Sequence, residues 1–290
     1  MPENLKALRL RIRSIRSTKK ITRAMEMVSA AKLRKTEGLM KSARPFMDKI
    51  QQLLGRLAMS PKAQENPLFQ RSETGVPLLV VFTSDRGLAG AFNANILKAA
   101  VRELNEQPDL RLIVIGRKGR DFLRRYFRSR IVMEFADLNN RLDGEITDRI
   151  GNELLNGFMD GRYSRVDILY PRFISTVSNK PTIERYLPLE AKFFGVDENN
   201  ASQGIDYILE PSPERVFEVL LPRFLKSKIY LTLAETYTSE HSSRMMAMNN
   251  ATKNCDELSN VLTLRLNKAR QAAITTEIIE IVSGAQALSG

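Results

Sequence analysis

The sequence predicts an α/β protein: a long antiparallel coiled coil of N- and C-terminal helices with a central α/β, Rossmann-like domain. Three observations predict it. Between Glu3 and Arg44 there is no proline and one glycine, Gly38. From Arg223 to Ser283 there is neither. Between these ends, apolar runs of strand length alternate with amphipathic stretches, the pattern of a sheet covered by helices.

At the N-terminus, Leu5, Leu8, Ile12 and Ile15 step by 3, 4 and 3 residues, which is a coiled-coil seam. The seam falters at Lys19 and resumes as Ile21, Met25 and Val28, so the heptad is not kept strictly. Arg9, Arg13, Arg16, Lys20 and Arg23 form a basic stripe beside it. Pro45 is expected to bend or restart the helix. Apolar positions then continue through Phe46, Ile50, Leu53, Leu54 and Leu57, giving an N-terminal shaft helix over 1–58. The segment SPKAQENPLFQRSETG reads as a loop.

The central domain, 75–205, opens with VPLLVVF, a glycine-bearing loop and an amphipathic helix, and LRLIVIG followed by RKGRDFLRRYF repeats that βα plan. VDILYPRFIS and TIERYLPLE supply further β-branched and aromatic runs. The C-terminal shaft helix, 209–290, starts where Ser212 caps a helix with Pro213 in its first turn. Its seam is read as Ala251, Cys255, Leu258, Leu262, Leu266, Ala269 and Ala273. The 223–283 stretch alone would be a helix of about 90 Å. Two helices of such length each need a partner to cover the seam, and pairing them antiparallel is the simplest solution.

Composition limits the chemistry. A chain of 290 residues with 43% hydrophobic content buries a full core, and no run of 18 or more apolar residues suggests a bilayer span. Residues 1–41 carry 12 Lys or Arg against 3 Glu, so most of the net charge of +12 sits there. Such a helix calls for an acidic partner: nucleic acid, an anionic membrane surface or carboxylates of another protein, and charge alone does not choose among them. With one cysteine, Cys255, and one histidine, His241, metal and thiol chemistry have almost no material. A lone histidine, His241 reads as a surface or packing residue. The turn SDRGLAGAFN offers Gly87 and Gly90 after a strand, but GxxxxGK[ST] and GxGxxG are both absent. A tight structural turn, set by Asp85 and Arg86, is favoured there over a phosphate cradle. No cofactor, metal or small-molecule substrate is expected.

The C-terminal stretch ITTEIIEIVSGAQALSG closely resembles the signature of the gamma subunit of F-type ATP synthases, at Ile274, Thr275, Glu277, Ile278, Glu280, Ile281, Val282, Gly284 and Ala285. KITRAMEMVSAAKLRK resembles the same family's N-terminal helix and SDRGLAGAFN its central-domain turn, so the resemblance runs from end to end. It implies a non-catalytic rotor shaft turning inside a hexamer of alpha and beta subunits, with its foot on a membrane-embedded c-ring and an epsilon-type subunit as a further partner. It also implies that Met25 faces an acidic beta-subunit loop, with Arg23, Lys32, Arg34 and Lys35 supplying complementary charge. Arg244, Gln271 and Thr275 match positions that contact a beta subunit higher in the collar. Tyr207 and Glu210 fall where the foot meets the ring, and Ile278, Ile281, Val282, Gly284 and Ala285 make an uncharged tip suited to an apolar sleeve. Thiol control through an inserted cysteine pair is not expected, since Cys255 stands alone. The missing insertion and short N-terminus imply a bacterial protein, peripheral on the cytoplasmic side of the plasma membrane. The alternative is a basic coiled-coil nucleic-acid binder, whose affinity would fall steeply with salt.

Overall fold

The computed structural model describes residues 5–58, 65–70, 75–138, 140, 142–190, 194 and 209–289. Helix α1 spans Leu5–Ala58 and the C-terminal helix, α5, spans Pro213–Ser289. The chain forms two compact units, one of Met1–Ser29 with Arg244–Gly290 and one of Ala30–Ser243.

Among the buried and half-buried positions of α1, one series runs Leu8, Ile12, Ile15, Lys19, Thr22, Glu26, Ser29, Leu33, Thr36 and Met40. These steps of 4 and 3 alternate without a break, a strict 3.5-residue period. The seam therefore does not shift to Ile21 and Val28, which are 58% and 56% exposed. It continues through side chains that an apolar count overlooks. Thr22, Ser29 and Thr36 are small, and each donates its hydroxyl to a backbone carbonyl of the preceding turn: to Lys19, Met25 and Lys32. A hydroxyl satisfied in this way can be buried without a large desolvation penalty. Nor does Pro45 restart the helix, which runs through it to Ala58.

In α5 the seam of the first unit is Met248, Thr252, Cys255, Ser259, Leu262, Leu266, Ala269 and Ala273, again alternating 4 and 3. Ala251 is replaced by Thr252 and Leu258 by Ser259, and Leu258 is 52% exposed. Ser212 does cap α5: its hydroxyl accepts from the Arg215 amide at 3.2 Å.

The second unit holds one five-stranded sheet in the order β3-β2-β1-β4-β5. Its strands are β1 (Val76–Phe82), β2 (Arg111–Ile115), β3 (Ile131–Phe135), β4 (Tyr163–Ser175) and β5 (Ser178–Leu187). β1 to β4 are parallel, and β5 returns antiparallel to β4. The parallel strands are linked by α2 (Phe92–Glu106), α3 (Arg117–Phe127) and α4 (Gly144–Met159). Strand alternation sends Leu79 and Val81 into a core with Phe92, Ile96 and Leu123, on the face covered by α2 and α3. Leu78, Val80 and Phe82 point to the opposite face. There Ile150 and Leu154 of α4 pack with Met47 and Leu54 of α1 and with Phe217, Leu221 and Phe224 of α5. Among its described residues, the segment expected to be a loop contains a 3-10 turn, Pro67–Phe69, capped by the Asn66 side chain.

Candidate functional site

In the first unit, Leu8, Ile12 and Leu262 form a core with Ile15, Leu266 and Ala269 packed against it. Cross-helix pairs fix direction and register. Lys19 pairs with Asp256, the Thr22 and Thr252 hydroxyls meet at 2.8 Å, and Asn249 donates to Glu26 at 3.0 Å. Partner numbers fall as α1 numbers rise, so the helices are antiparallel. The Asn249 amide, with Arg23 at 3.0 Å, holds the Glu26 carboxyl below its usual range despite some desolvation. Beside this seam lies a groove of about 530 Å³ lined by Arg9, Arg13, Arg16 and Lys20, together with Ser17, Ile12, Thr263 and Leu266. It carries no carboxylate, so it presents unmixed positive charge.

The sequence-predicted contact residues are spread along both helices. Arg23, Lys32, Arg34 and Lys35 are exposed and Met25 is half-buried. Lys32 and Lys35 border a recess of about 520 Å³ that also includes Asn140 and His241. His241 is 2% exposed, and its Nε2 lies 3.0 Å from the Asn140 amide, which makes it a packing residue. Arg244 is buried, at 7% exposure. Gln271 and Thr275 are exposed one turn apart, and the Thr275 hydroxyl donates to the Gln271 carbonyl at 2.9 Å. Ile278, Ile281, Val282, Gly284 and Ala285 are all exposed. Glu210 is exposed, and Tyr207 lies outside the described residues.

The residues that follow β1, Thr83 to Asp85, hold the first amides of α3. Asp85, 6% exposed, accepts from the Arg117 and Asp137 amides, both at 3.0 Å. The Lys118 amide donates to the Ser84 carbonyl at 3.0 Å, and the Gly119 amide to the Thr83 hydroxyl at 2.9 Å. These three consecutive N–H groups open α3, where a phosphate would bind in a nucleotide-holding βα unit. Here protein oxygens occupy them. Gly116 makes the arrangement possible: its φ is +96°, and a Cβ there would lie 2.3 Å from the Thr83 carbonyl oxygen. Asp85 does more than shape its own turn. It ties the end of β1 to the segments following β2 and β3.

Sequence reasoning missed a charged cluster in the second unit. A recess of about 630 Å³ is lined by Arg44, Tyr170, Arg172, Glu184, Lys228 and Glu235, among others. Arg44 pairs with Glu235 at 3.2 Å, and Glu184 serves both Arg172 and Lys228, the latter at 3.4 Å. Glu184 favours the charged form of Lys228, but burial and then the Arg172 charge outweigh it and lower the amine to about 7. Burial also raises the Glu235 carboxyl above its usual range, although Arg44 opposes the shift. The six side chains come from three distant segments, so no local motif announces them.

A heptad-paired two-helix unit, together with a five-stranded α/β unit, places the chain among mixed α/β proteins that carry a coiled-coil arm. The comparisons give the particular family. The family model described as ATP synthase matches residues 4–288. The ATP synthase gamma chain of Moorella thermoacetica is 42% identical over 286 residues, covering 98% of this chain and 99% of that one. That of Symbiobacterium thermophilum is 40% identical over the full length of both. Among solved structures, a chain of the Tetrahymena thermophila mitochondrial ATP synthase central stalk and c-ring is 25% identical. It aligns at a TM-score of 0.59, covering 80% of this chain and 99% of that one. A chain of the Euglena gracilis mitochondrial ATP synthase assembly of OSCP, F1 and c-ring shares the fold at a TM-score of 0.68 and 20% identity, covering 98% and 94%. The chain belongs to the ATP synthase gamma-chain family. It is a non-catalytic central-stalk rotor subunit.

Proposed function

We propose that this rotor takes rotation from a membrane-embedded c-ring and delivers it to a hexamer of alpha and beta subunits, coupling ion transport to ATP synthesis and hydrolysis. The observation that carries the proposal is the arrangement of the paired helices. They hold each other through an unbroken seam and through Lys19–Asp256, Thr22–Thr252 and Glu26–Asn249, while the cations of the groove remain outward. A rotor must keep its two strands in register while forming and breaking contacts on its surface.

In this reading Met25, Arg23, Lys32, Arg34, Lys35 and Arg244 serve the beta-subunit contact, with Gln271 and Thr275 touching a beta subunit in one rotational state. The uncharged tip turns in an apolar sleeve without fixed ion pairs. Tyr207 and Glu210 meet the ring, and an epsilon-type subunit grips the α/β unit. The complex lies at the cytoplasmic face of a bacterial plasma membrane, with this chain peripheral to it. Among the described residues no helix is long and apolar enough to cross a membrane. Coupling follows from differential contact: each rotor orientation favours a different state of the three catalytic sites and so shifts their populations.

The test is Gln271→Leu. Leucine keeps helix propensity but cannot hydrogen-bond, and a contact of about 0.5–1.5 kcal/mol would be lost in one rotational state only. Turnover per assembled complex should fall by roughly a few-fold to tenfold with assembly unchanged. Wild-type rates of synthesis and hydrolysis would remove Gln271 from the contact.

A further inference from the structure

Helix α3 and the turn after it carry a surface that the coupling mechanism does not use. Residues 117–130 contain seven Lys or Arg and one acid, Asp121. Four of the cations are engaged: Arg117 with Asp137 at 3.0 Å, Arg120 with Asp121 at 3.0 Å, Arg124 with Glu134, and Arg130 with the Leu104 carbonyl at 2.6 Å. Lys118, Arg125 and Arg128 are exposed and have no carboxylate within ion-pair distance among the described residues. Between them, one helical turn apart, Phe122 and Tyr126 stand outward with ring centroids 5.3 Å apart. They are 38% and 62% exposed. The buried side of the helix is Gly119 and Leu123, so the aromatic pair is not part of the domain's core. Adjacent β3 is the edge strand of the sheet. Its Val132 shares the strand face of Glu134, which pairs with α3, and is 47% exposed.

We propose that this cation-flanked aromatic face is a docking surface for an acidic protein segment, one that sets an apolar residue against Phe122 and Tyr126 and carboxylates against Arg125, Arg128 and Lys118. The charge is complementary, and aromatic residues with arginine are the side chains that dominate the energetics of protein interfaces. An anionic lipid surface fits less well. Only three cations lack a carboxylate, and the apolar part is two rings and a valine, short of the long stripe by which amphipathic helices enter a bilayer. The inference rests on the rotor reading, since it places the surface within an assembled complex.

The experiment uses the full chain in the purified, membrane-extracted complex, with Tyr126→p-benzoylphenylalanine as a photocrosslinking probe. The same probe at Val177, 73% exposed on the β4–β5 turn, serves as the control. Native gels first establish that the chain co-assembles with alpha and beta subunits. The expected result is one crosslinked protein segment rich in Asp or Glu, at a yield at least fivefold above Val177. Arg125→Glu should cut that yield at least fivefold, Arg125→Lys should retain it, and 0.5 M salt should lower it. Crosslinks to lipid, to a neutral or basic segment, or at the control yield in an assembled complex overturn the docking surface and leave the rotor reading standing. Failure of the chain to co-assemble overturns the rotor reading and the docking surface with it.

Discussion

Replacing Asp85 by alanine should loosen the α/β unit well beyond what a turn residue ordinarily does. The side chain is 6% exposed, and one oxygen accepts two backbone amides, those of Arg117 and Asp137, at 3.0 Å each. Hydrogen bonds to a charged acceptor contribute about 1.5–3 kcal/mol apiece, and the truncation leaves both amides without that acceptor. A loss of about 3–5 kcal/mol is expected, a large part of the roughly 5–15 kcal/mol that stabilises a typical domain. With a urea dependence of about 2 kcal/mol per molar, the unfolding midpoint should fall by about 1.5–2.5 M. Asp85→Asn keeps an acceptor oxygen and loses only the charge, so its shift should be well under half as large. Circular dichroism across a urea series gives the midpoints. Amide hydrogen exchange adds a local readout, since Arg117 and Asp137 should lose protection before the strand centres do. A midpoint for Asp85→Ala within about 0.3 M of wild type, or equal damage from Asn and Ala, would refute the reasoning.

Two further outcomes follow from buried polar groups. At the Thr22–Thr252 pair each hydroxyl also lies within hydrogen-bond distance of a carbonyl of its own helix, Lys19 and Met248, so two protons serve three contacts. Either single valine substitution should therefore cost only about 0.5–1.5 kcal/mol, and the double substitution should be less damaging than the two singles summed, as a double-mutant cycle on thermal unfolding would show. Lys228, lowered to about 7 by burial and Arg172, binds fewer protons when folded than its usual amine range allows when unfolded. Wild-type stability should consequently rise as pH increases from 7 toward about 10.4, and Lys228→Met should flatten that rise in urea midpoints measured at each pH. An equal slope in both proteins would place the titration elsewhere.

Much of the fold was legible because periodicity is a property of backbone geometry. The strand-length runs, the βα repeat and the Ser212 cap all depend on local spacing, and the two long helices extend from stretches poor in proline and glycine, running through Pro45 and Pro222. The seam was harder to read, for a physical reason. Heptad phase is set by 3.5 residues per turn of the paired helices, whatever residue occupies the slot. Following apolar residues alone leads from Ile15 to Ile21, although counting 4 and 3 leads to Lys19, Thr22, Glu26 and Ser29. Lys19, Thr22 and Glu26 fit because their partners lie on the other helix, hundreds of positions away in sequence, and Ser29 because its hydroxyl reaches the Met25 carbonyl of its own helix. The Arg44–Glu235 and Glu184–Lys228 pairs were unreadable for the same reason, since each is assembled by tertiary proximity alone. The basic stripe and the exposed Gln271 and Thr275 could be located from spacing, but exposure by itself names no partner.

The filled turn at the head of α3 has a consequence for life amid nucleotide. In the proposed coupling role the rotor works beside sites that bind and release ATP. An open βα turn would let that compound stiffen the domain as its concentration changed, because any ligand that prefers one state shifts the balance toward it. Thr83, Ser84 and Asp85 already hold these three amides, so those donors are not open to a free phosphate. In that role, nucleotide cannot stiffen the α/β unit through these three amides.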